Sequence, residues 1–400
     1  MKLYLIGTGT EGRGTLTAEA AEAIASSGLL IGAARILEPF HDTKAECICT
    51  YKTDEIVQAI RKTEHGIVSV LFSGDCGFFS GAKKLLAALP DADITVLPGI
   101  SSAAAFCAKI GKSYENMRFV SLHGTKANIA IEAATHPHCF FLLGGDIRAA
   151  DVCKRLCDYH LGEVRVYIGV NLGYPDERIM SGSAHEFTDF TDDTLTVLIT
   201  ENLNNLRYIP SAIPDSQFQR GNVPMTKSQI RCNIVSQLHI RYDGVCWDIG
   251  CGTGSVSVEM AYRCPQGTVL AFDKNPEAVR LTAENAKAFS CDNIHVTEGI
   301  CPDVLHDAAV PDHVFIGGST GNLDAICDVI AEKNPAADIV ISAVSLETLA
   351  QAAHCFESRG VPCEIVQIAV TGTRKIGTHT MLDAQNPVFL IWGQLQCGES

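Results

Sequence analysis

The sequence predicts an α/β protein of two domains, the second a doubly wound, Rossmann-like sheet. Three observations carry this. Short apolar runs alternate with helical segments along the first half of the chain. The alternation breaks at about 201–225, where Asn202, Asn204, Asn205, Pro210, Pro214, Asp215, Gly221, Asn222 and Pro224 gather turn and linker chemistry. The stretch Asp248-Ile-Gly-Cys-Gly-Thr-Gly254 then follows an apolar run and leads into a helical one, and a second apolar run ends in Asp273. Four hundred residues are many for one ordinary α/β domain and comfortable for two. We place the domains at residues 1–205 and 206–400, with the linker at about 201–225.

In the first half, strands are expected at residues 2–6, 29–31, 67–72, 94–97, 118–122, 139–143, 164–170 and 194–199. Helices are expected at 17–26, rich in alanine and glutamate, at 54–63, at 81–89, and from Ser101-Ser102 to about Ile110. The second half opens on a helix at 227–238. Strands follow at 245–249, 268–273, 293–297, 313–316 and 338–343, and a terminal pair near 364–369 and 387–392 would complete a sheet.

Bulk properties exclude several classes. The net charge is −15, and both halves are acidic, at −7 and −8 when cut near Asn205. No lysine/arginine run offers the basic face that nucleic acid needs. No apolar run is long enough to span a bilayer, and the start at Met1-Lys-Leu-Tyr-Leu-Ile-Gly7 lacks a secretory pattern. A cytoplasmic enzyme without nucleic-acid or membrane partners is expected. The 17 cysteines form no C-x-x-C pair, so they read as small buried hydrophobes in a reducing compartment rather than as a metal site.

The glycine loop carries the first functional signal. Strand, glycine loop, helix, strand, acid is the plan of a nucleotide-type cofactor site. The spacing G-x-G-x-G, with Asp248 two residues before it, suits S-adenosylmethionine (SAM) better than a dinucleotide. Gly250, Gly252 and Gly254 let the backbone pass close to a ligand. Cys251 and Thr253 complete the loop. Asp248 would order the loop or reach the ligand's ammonium through water, and Asp273 would accept the ribose hydroxyls. Cys301 lies after the next strand, where an adenine edge would sit. In the first half, Gly7-Thr-Gly9-Thr-Glu-Gly12 matches G-x-G-x-x-G, but no acid closes the following strand. Three further strand ends turn on glycine: Ser73-Gly74-Asp75-Cys76-Gly77, Pro98-Gly-Ile-Ser101-Ser102 and Leu122-His123-Gly124. Together they imply a cleft where backbone meets a flat ligand.

These pieces resemble two known families. Residues 1 to about 200 look like a tetrapyrrole methylase, through LIGTGTEG with LTAEA, SGDCGFF, PGISS, SLHG and NLGYPDERIMSG. Residues from about 222 to 396 resemble the decarboxylating corrinoid methyltransferases, through PMTKSQIR, WDIGCGTGSVSVE, DKNPEAVRLTAEN, VFIGGSTG, SAVSLETL and NPVFLIWG. Three positions depart from the family patterns: Cys76 stands where a proline is usual, Ile300 where a polar or acidic residue is common, and Ser342 where asparagine is common. The resemblance implies a two-lobed N-terminal domain that methylates carbon 5 of the macrocycle. It also implies a C-terminal domain that methylates carbon 15 and removes the ring C acetate as carbon dioxide. It implies two SAM sites per chain, a precorrin or cobalt-precorrin substrate, and self-association into a homo-oligomer. Gly74, Asp75, Cys76, Ser101 and Ser102 become candidates for the first SAM site, and Gly7, Gly9 and His123 for its substrate. Around the second site, Thr226 is a ligand or capping candidate. Lys227, Arg231, Gly317, Gly318, Arg374 and Lys375 are candidates for the acceptor, whose carboxylates need local cations in an acidic chain.

No metal ligand set and no Ser-His-Asp set is expected, because an activated methyl needs orientation rather than a covalent intermediate. The residue that would protonate the macrocycle during decarboxylation is not identifiable. Three other readings stay open on sequence alone: an unrelated small-molecule methyltransferase fused to a nucleotide-binding module, an NAD-dependent dehydrogenase at Gly7–Gly12 fused to a SAM methyltransferase acting on another tetrapyrrole or small molecule, and a non-catalytic scaffold in which one glycine site is vestigial.

Overall fold

The computed structural model describes residues 1–123, 127–191, 195–206 and 208–396. Two compact units emerge. The first comprises residues 1–126, 138–152 and 165–201, and the second residues 127–137, 153–164 and 202–400.

The first unit holds two five-stranded sheets. Strands β1 (Lys2–Gly7), β2 (Leu29–Gly32), β3 (Glu46–Cys49), β4 (Ile67–Phe72) and β5 (Ile94–Leu97) form a fully parallel sheet in the order β3-β2-β4-β1-β5. Its central strands are apolar on both faces, as a sheet covered on both sides requires. Leu3, Leu5, Val68 and Val70 face one core, and Ile6, Leu30 and Leu71 the other. The helix Ala18–Ser26 starts where Thr17 accepts the N–H of Ala20. The second sheet is mixed: β6 (Arg118–Ser121), β7 (His138–Leu142), β8 (Arg165–Val170), β9 (Arg178–Ser183) and β10 (Thr196–Glu201), in the order β6-β7-β10-β8-β9. Thr194, expected to open the last of these strands, lies outside the described residues.

The second unit is a seven-stranded sheet. It contains β11 (Val245–Ile249), β12 (Thr268–Asp273), β13 (Ile294–Glu298), β14 (His313–Ile316), β15 (Asp338–Ala343), β16 (Glu364–Ile368) and, past a hairpin, the last strand of the chain. The hairpin pairs β17 (Thr371–Ile376) with β18 (His379–Ala384), and the last strand is β19 (Val388–Gly393). The order β13-β12-β11-β14-β15-β19-β16 is parallel through β15, with β19 antiparallel to both of its neighbours. The order reverses between β11 and β14, the switch point where open α/β sheets bind ligands.

Two helices from the middle of the chain complete this second unit. The first N–H groups of the helix Ile129–Thr135 need partners. The buried carboxylate of Asp292 accepts three of them, from Ile129 (2.8 Å), Ala130 (2.9 Å) and Ile131 (3.1 Å). Asn128 donates to the carbonyls of Pro265 and Gly267.

The expected strands of both halves are present to within two residues. Three were not foreseen: β3, β9, and the hairpin strands β17 and β18 taken together as one feature. Ten of the sixteen described cysteines are buried, in keeping with their reading as small hydrophobes. Among the described residues no His, Cys, Asp or Glu side chains cluster as a metal site, and no helix is long and apolar enough to cross a membrane.

Candidate active sites

Beyond β11 the chain turns through Gly250, Gly252 and Gly254 at φ of +76°, +59° and +73°, a region that favours glycine. Close approach adds a second reason at Gly250: a Cβ there would stand 2.7 Å from the backbone nitrogen of Gly318. The loop therefore lies against the turn at Gly317-Gly318. A Cβ on Gly252 would stand 2.8 Å from the carbonyl of Pro224, so the segment leading to Thr226 also borders the loop. Asp273, at the end of β12, accepts the N–H of Gly252 at 3.0 Å and that of Asn275 at 2.9 Å. Loop, acid and glycine turn thus meet at the carboxyl ends of β11, β12 and β14.

The other loop residues face inward. The thiol of Cys251 is buried, accepts from the Thr282 hydroxyl at 3.3 Å, and is driven upward in pKa by burial. Thr253 is buried too, and its carbonyl accepts from Asn285 at 2.8 Å. Cys301 lies beyond β13, its thiol pushed up to about 12 by burial, while Ile300 before it is exposed.

Asp248, expected to order the loop or to reach a ligand through water, is placed beneath the loop. It is fully buried, and one carboxylate oxygen accepts the hydroxyl of Ser257 on the helix Ser255–Ala261. Its other oxygen has no partner among the described residues. It ties strand to helix beneath the loop. Burial pushes its carboxyl up from 3.8 to about 7, against the Ser257 hydrogen bond. The native state then keeps its proton where the unfolded chain has lost it. Stability falls as pH rises from about 4 to about 7 and is level above that. Asp248→Asn, which cannot ionise, is expected to gain on the wild type across that interval in chemical denaturation. A difference between the two that does not change with pH would contradict this.

The expected cations of the second site differ in their surroundings. Arg231 has no exposed surface. Its guanidinium pairs with Glu259 at 2.9 Å and Asp215 at 3.0 Å, and donates to the carbonyls of Thr226 and Ile213. It is closed to a substrate carboxylate because burying it required these partners. Lys227 stands 3.6 Å from the same Asp215. Thr226 does not cap the helix Ser228–Gln237: Lys227 is the N-cap residue, and Asp215 accepts the N–H of Ser228 at 3.0 Å. Arg374 and Lys375 lie on the exposed β17–β18 hairpin, where Arg374 is 3.4 Å from Asp383.

The first unit contains a cavity of about 500 Å³. Its wall takes Gly74, Asp75 and Ser102 from the ends of the parallel sheet, and His123, Gly144 and Tyr174 from the mixed one. Asp75 bridges two loops, accepting the N–H of Gly77 and of Gly99, each at 3.1 Å. Gly7 and Gly9 stand where backbone meets backbone. A Cβ on Gly7 would stand 2.6 Å from the Gly74 carbonyl and 2.8 Å from the Gly99 nitrogen, while Gly9 and Gly74 exchange two backbone hydrogen bonds at 3.0 Å. Cys76 turns into the hydrophobic core, its thiol pushed up to about 12 by burial. Ser101 uses its hydroxyl to cap the helix Ser102–Lys109 through the N–H of Ala104. The ring of His123 packs so closely on Gly144 that a Cβ there would lie 1.8 Å from Nδ1. Gly124 lies outside the described residues. Sequence reasoning missed Arg35, Phe79 and Arg148, which also line this cavity. Phe79 closes the SGDCGFF motif and Arg35 follows the strand expected at 29–31, but nothing local marks them as facing a cavity.

The glycine loops agree with what is known of other proteins. Residues 216–394 match the family model of the precorrin methyltransferase domain, and residues 2–188 that of the tetrapyrrole (corrin/porphyrin) methylases. The probable cobalt-precorrin-6B C(15)-methyltransferase (decarboxylating) of Pyrobaculum calidifontis is 38% identical over 187 residues, which are 46% of this chain and 96% of that protein. This chain belongs to the precorrin methyltransferases. The cobalt-precorrin-6B C(15)-methyltransferase (decarboxylating) of Salmonella typhimurium is 36% identical over 180 residues, covering 44% of this chain and 93% of that one. Among solved structures, precorrin-6y C5,15-methyltransferase from Geobacter metallireducens is similar at 34% identity. It covers 46% of this chain and 97% of that chain, with a TM-score of 0.44. As a precorrin methyltransferase the chain uses SAM as methyl donor. The loop at 250–254 fits that donor, since its cradle is backbone that side chains would fill and the Asp273 carboxylate closes one end.

Proposed function

We propose that this precorrin methyltransferase is bifunctional. In this reading the first unit methylates carbon 5 of a precorrin or cobalt-precorrin, and the second methylates carbon 15 and decarboxylates the ring C acetate. One SAM site serves each. The observation that carries the proposal is the presence of two glycine-turn sites on one chain, each at the carboxyl ends of a parallel sheet and each inside a different methylase family match. The names of the relatives of the second half support the carbon-15 and decarboxylation steps.

SAM supplies a sulfonium whose methyl is already activated. The chain's task is then to orient donor and acceptor and exclude water, which is worth up to roughly 7–11 kcal/mol of barrier. In the second unit, Gly250, Gly252 and Gly254 would hold the methionine part and Asp273 the ribose, while the turn at Gly317-Gly318 would border the acceptor. In the first unit, Gly74, Asp75 and Ser102 would hold the donor at the cavity wall. For decarboxylation the C–C bond to the carboxylate breaks, carbon dioxide leaves, the bonding pair enters the conjugated macrocycle, and a proton then completes a methyl group where the acetate stood; the chain would keep that bond in a geometry where the overlap exists. Self-association belongs to the same proposal: Ile365 and Val366 on the edge strand β16 and Leu382 on the hairpin are exposed apolar surface that a second copy would cover.

The test supplies the full chain with reduced precorrin and SAM and weighs the product. Two methyl groups gained and one carbon dioxide lost is the expected outcome, with two SAM bound per chain by calorimetry. A singly methylated product that keeps its acetate would overturn the bifunctional reading.

A further inference from the structure

The cavity of the first unit carries a charge pattern opposite to that of the chain as a whole. The chain is acidic by 15 charges, yet two arginines and one carboxylate line this cavity. That carboxylate, Asp75, already serves two backbone N–H groups. No ion pair within 4 Å engages the guanidinium of Arg35 or Arg148 among the described residues, although Asp151 accepts the backbone N–H of Arg148 at 2.8 Å. Each guanidinium makes one hydrogen bond there, Arg35 to the Tyr174 hydroxyl at 3.3 Å and Arg148 to the Gly145 carbonyl at 3.1 Å. Four or more N–H donors on each fork remain available for a bidentate anion. Arg35 also lines a second, shallower pocket with Tyr51 and Lys52, so it stands where the two concavities join.

The apolar part of the wall carries the rings of Phe78 and Phe79 among aliphatic side chains. Phe79 lines the cavity, is 50% exposed, and is held at φ +47°. That backbone region is uncommon for a bulky residue, and such outliers concentrate at ligand sites. The ring of Phe78 supports it edge-on at 4.9 Å. An exposed ring beside unpaired guanidinium groups suits a flat conjugated ligand fringed with carboxylates. The methyl donor carries a single carboxylate, so two free forks exceed what it needs.

Resting on the carbon-5 reading above, we propose that Arg35, braced by Tyr174, anchors a peripheral carboxylate of the tetrapyrrole, and that Phe79 receives the macrocycle's face. Arg148 supplies a second anchor across the cavity. These are acceptor-selecting residues; the donor is held by the loops at Gly74 and Ser102.

The experiment compares the full-length wild type with Arg35→Ala and Phe79→Ala, using reduced precorrin and an isotope-labelled methyl donor so that the methyls on carbons 5 and 15 are read separately. In each variant the acceptor KM for the carbon-5 transfer is expected to rise about tenfold to a hundredfold, the effect of losing one charge-assisted contact at Arg35 or one stacking face at Phe79. The affinity for SAM and the carbon-15 transfer should be unchanged. Arg35→Lys, which keeps the charge but not the fork, should recover part of the loss. Arg35→Gln carries the same test if the alanine variant fails to fold. A fall in SAM affinity that matches the KM effect would assign Arg35 to the donor and overturn the proposal, as would an unchanged KM in both variants. A wild type that places no methyl on carbon 5 would instead overturn the reading beneath it, and this one with it.

Discussion

Asp273→Ala is expected to reduce SAM binding from two sites per chain to one, and to abolish the carbon-15 transfer while sparing carbon 5. The carboxylate holds the loop through the Gly252 N–H at 3.0 Å and faces the end of the sheet where the ribose would lie. Removing it leaves the loop N–H without its partner and takes two charge-assisted hydrogen bonds from the ligand. Each is worth about 1.5–3 kcal/mol, so affinity at that site should fall by a factor of about a hundred or more. Calorimetry gives the stoichiometry, and mass analysis of the product gives the surviving transfer. Equal loss of both transfers, or of neither, would be incompatible with two independent donor sites.

The second large effect concerns stability. Glu259 has no exposed surface; it accepts from Arg231 at 2.9 Å and from the N–H groups of Ala212 and Ile213 at 3.2 and 3.0 Å. Glu259→Ala would leave the guanidinium buried beside Asp215 alone and free two backbone donors. Breaking a buried pair from one side costs about 3–5 kcal/mol. Denaturant unfolding of the second unit should show a loss of that size. Adding Arg231→Met should restore a substantial part, because the uncompensated charge is then gone. If the double variant is less stable than Glu259→Ala, the pair does not act as described.

The ease with which each feature was read tracks how local its cause is. The strands β11, β12, β14 and β15 are apolar runs bounded by turns, and they needed nothing but their own residues. The loop at 250–254 was legible because a positive φ at three alternate positions demands glycine. The hairpin of β17 and β18 was not, since nearly all of its residues are exposed, and a strand with no buried face has no alternation to read. The cations show the limit most clearly. Arg231 follows Lys227 by one helical turn and looked equally available, yet a glutamate 28 residues away closes it off. Arg35 draws no reading from the sequence at all, and only the fold, which brings Tyr174 from 139 residues on to its guanidinium, reveals that it faces a cavity. Whether an arginine is bound or available is decided by partners that sequence spacing does not announce.

The grip of Asp292 on the helix Ile129–Thr135 bears on how the protein is made. The acceptor follows its first donor by 163 residues. At a synthesis rate of roughly 5–20 residues per second, the helix leaves the ribosome on the order of ten seconds or more before the carboxylate that caps it exists. Its apolar face, including Ile131, waits uncovered for that time. The second core therefore cannot close around this helix until the chain has been made as far as Asp292.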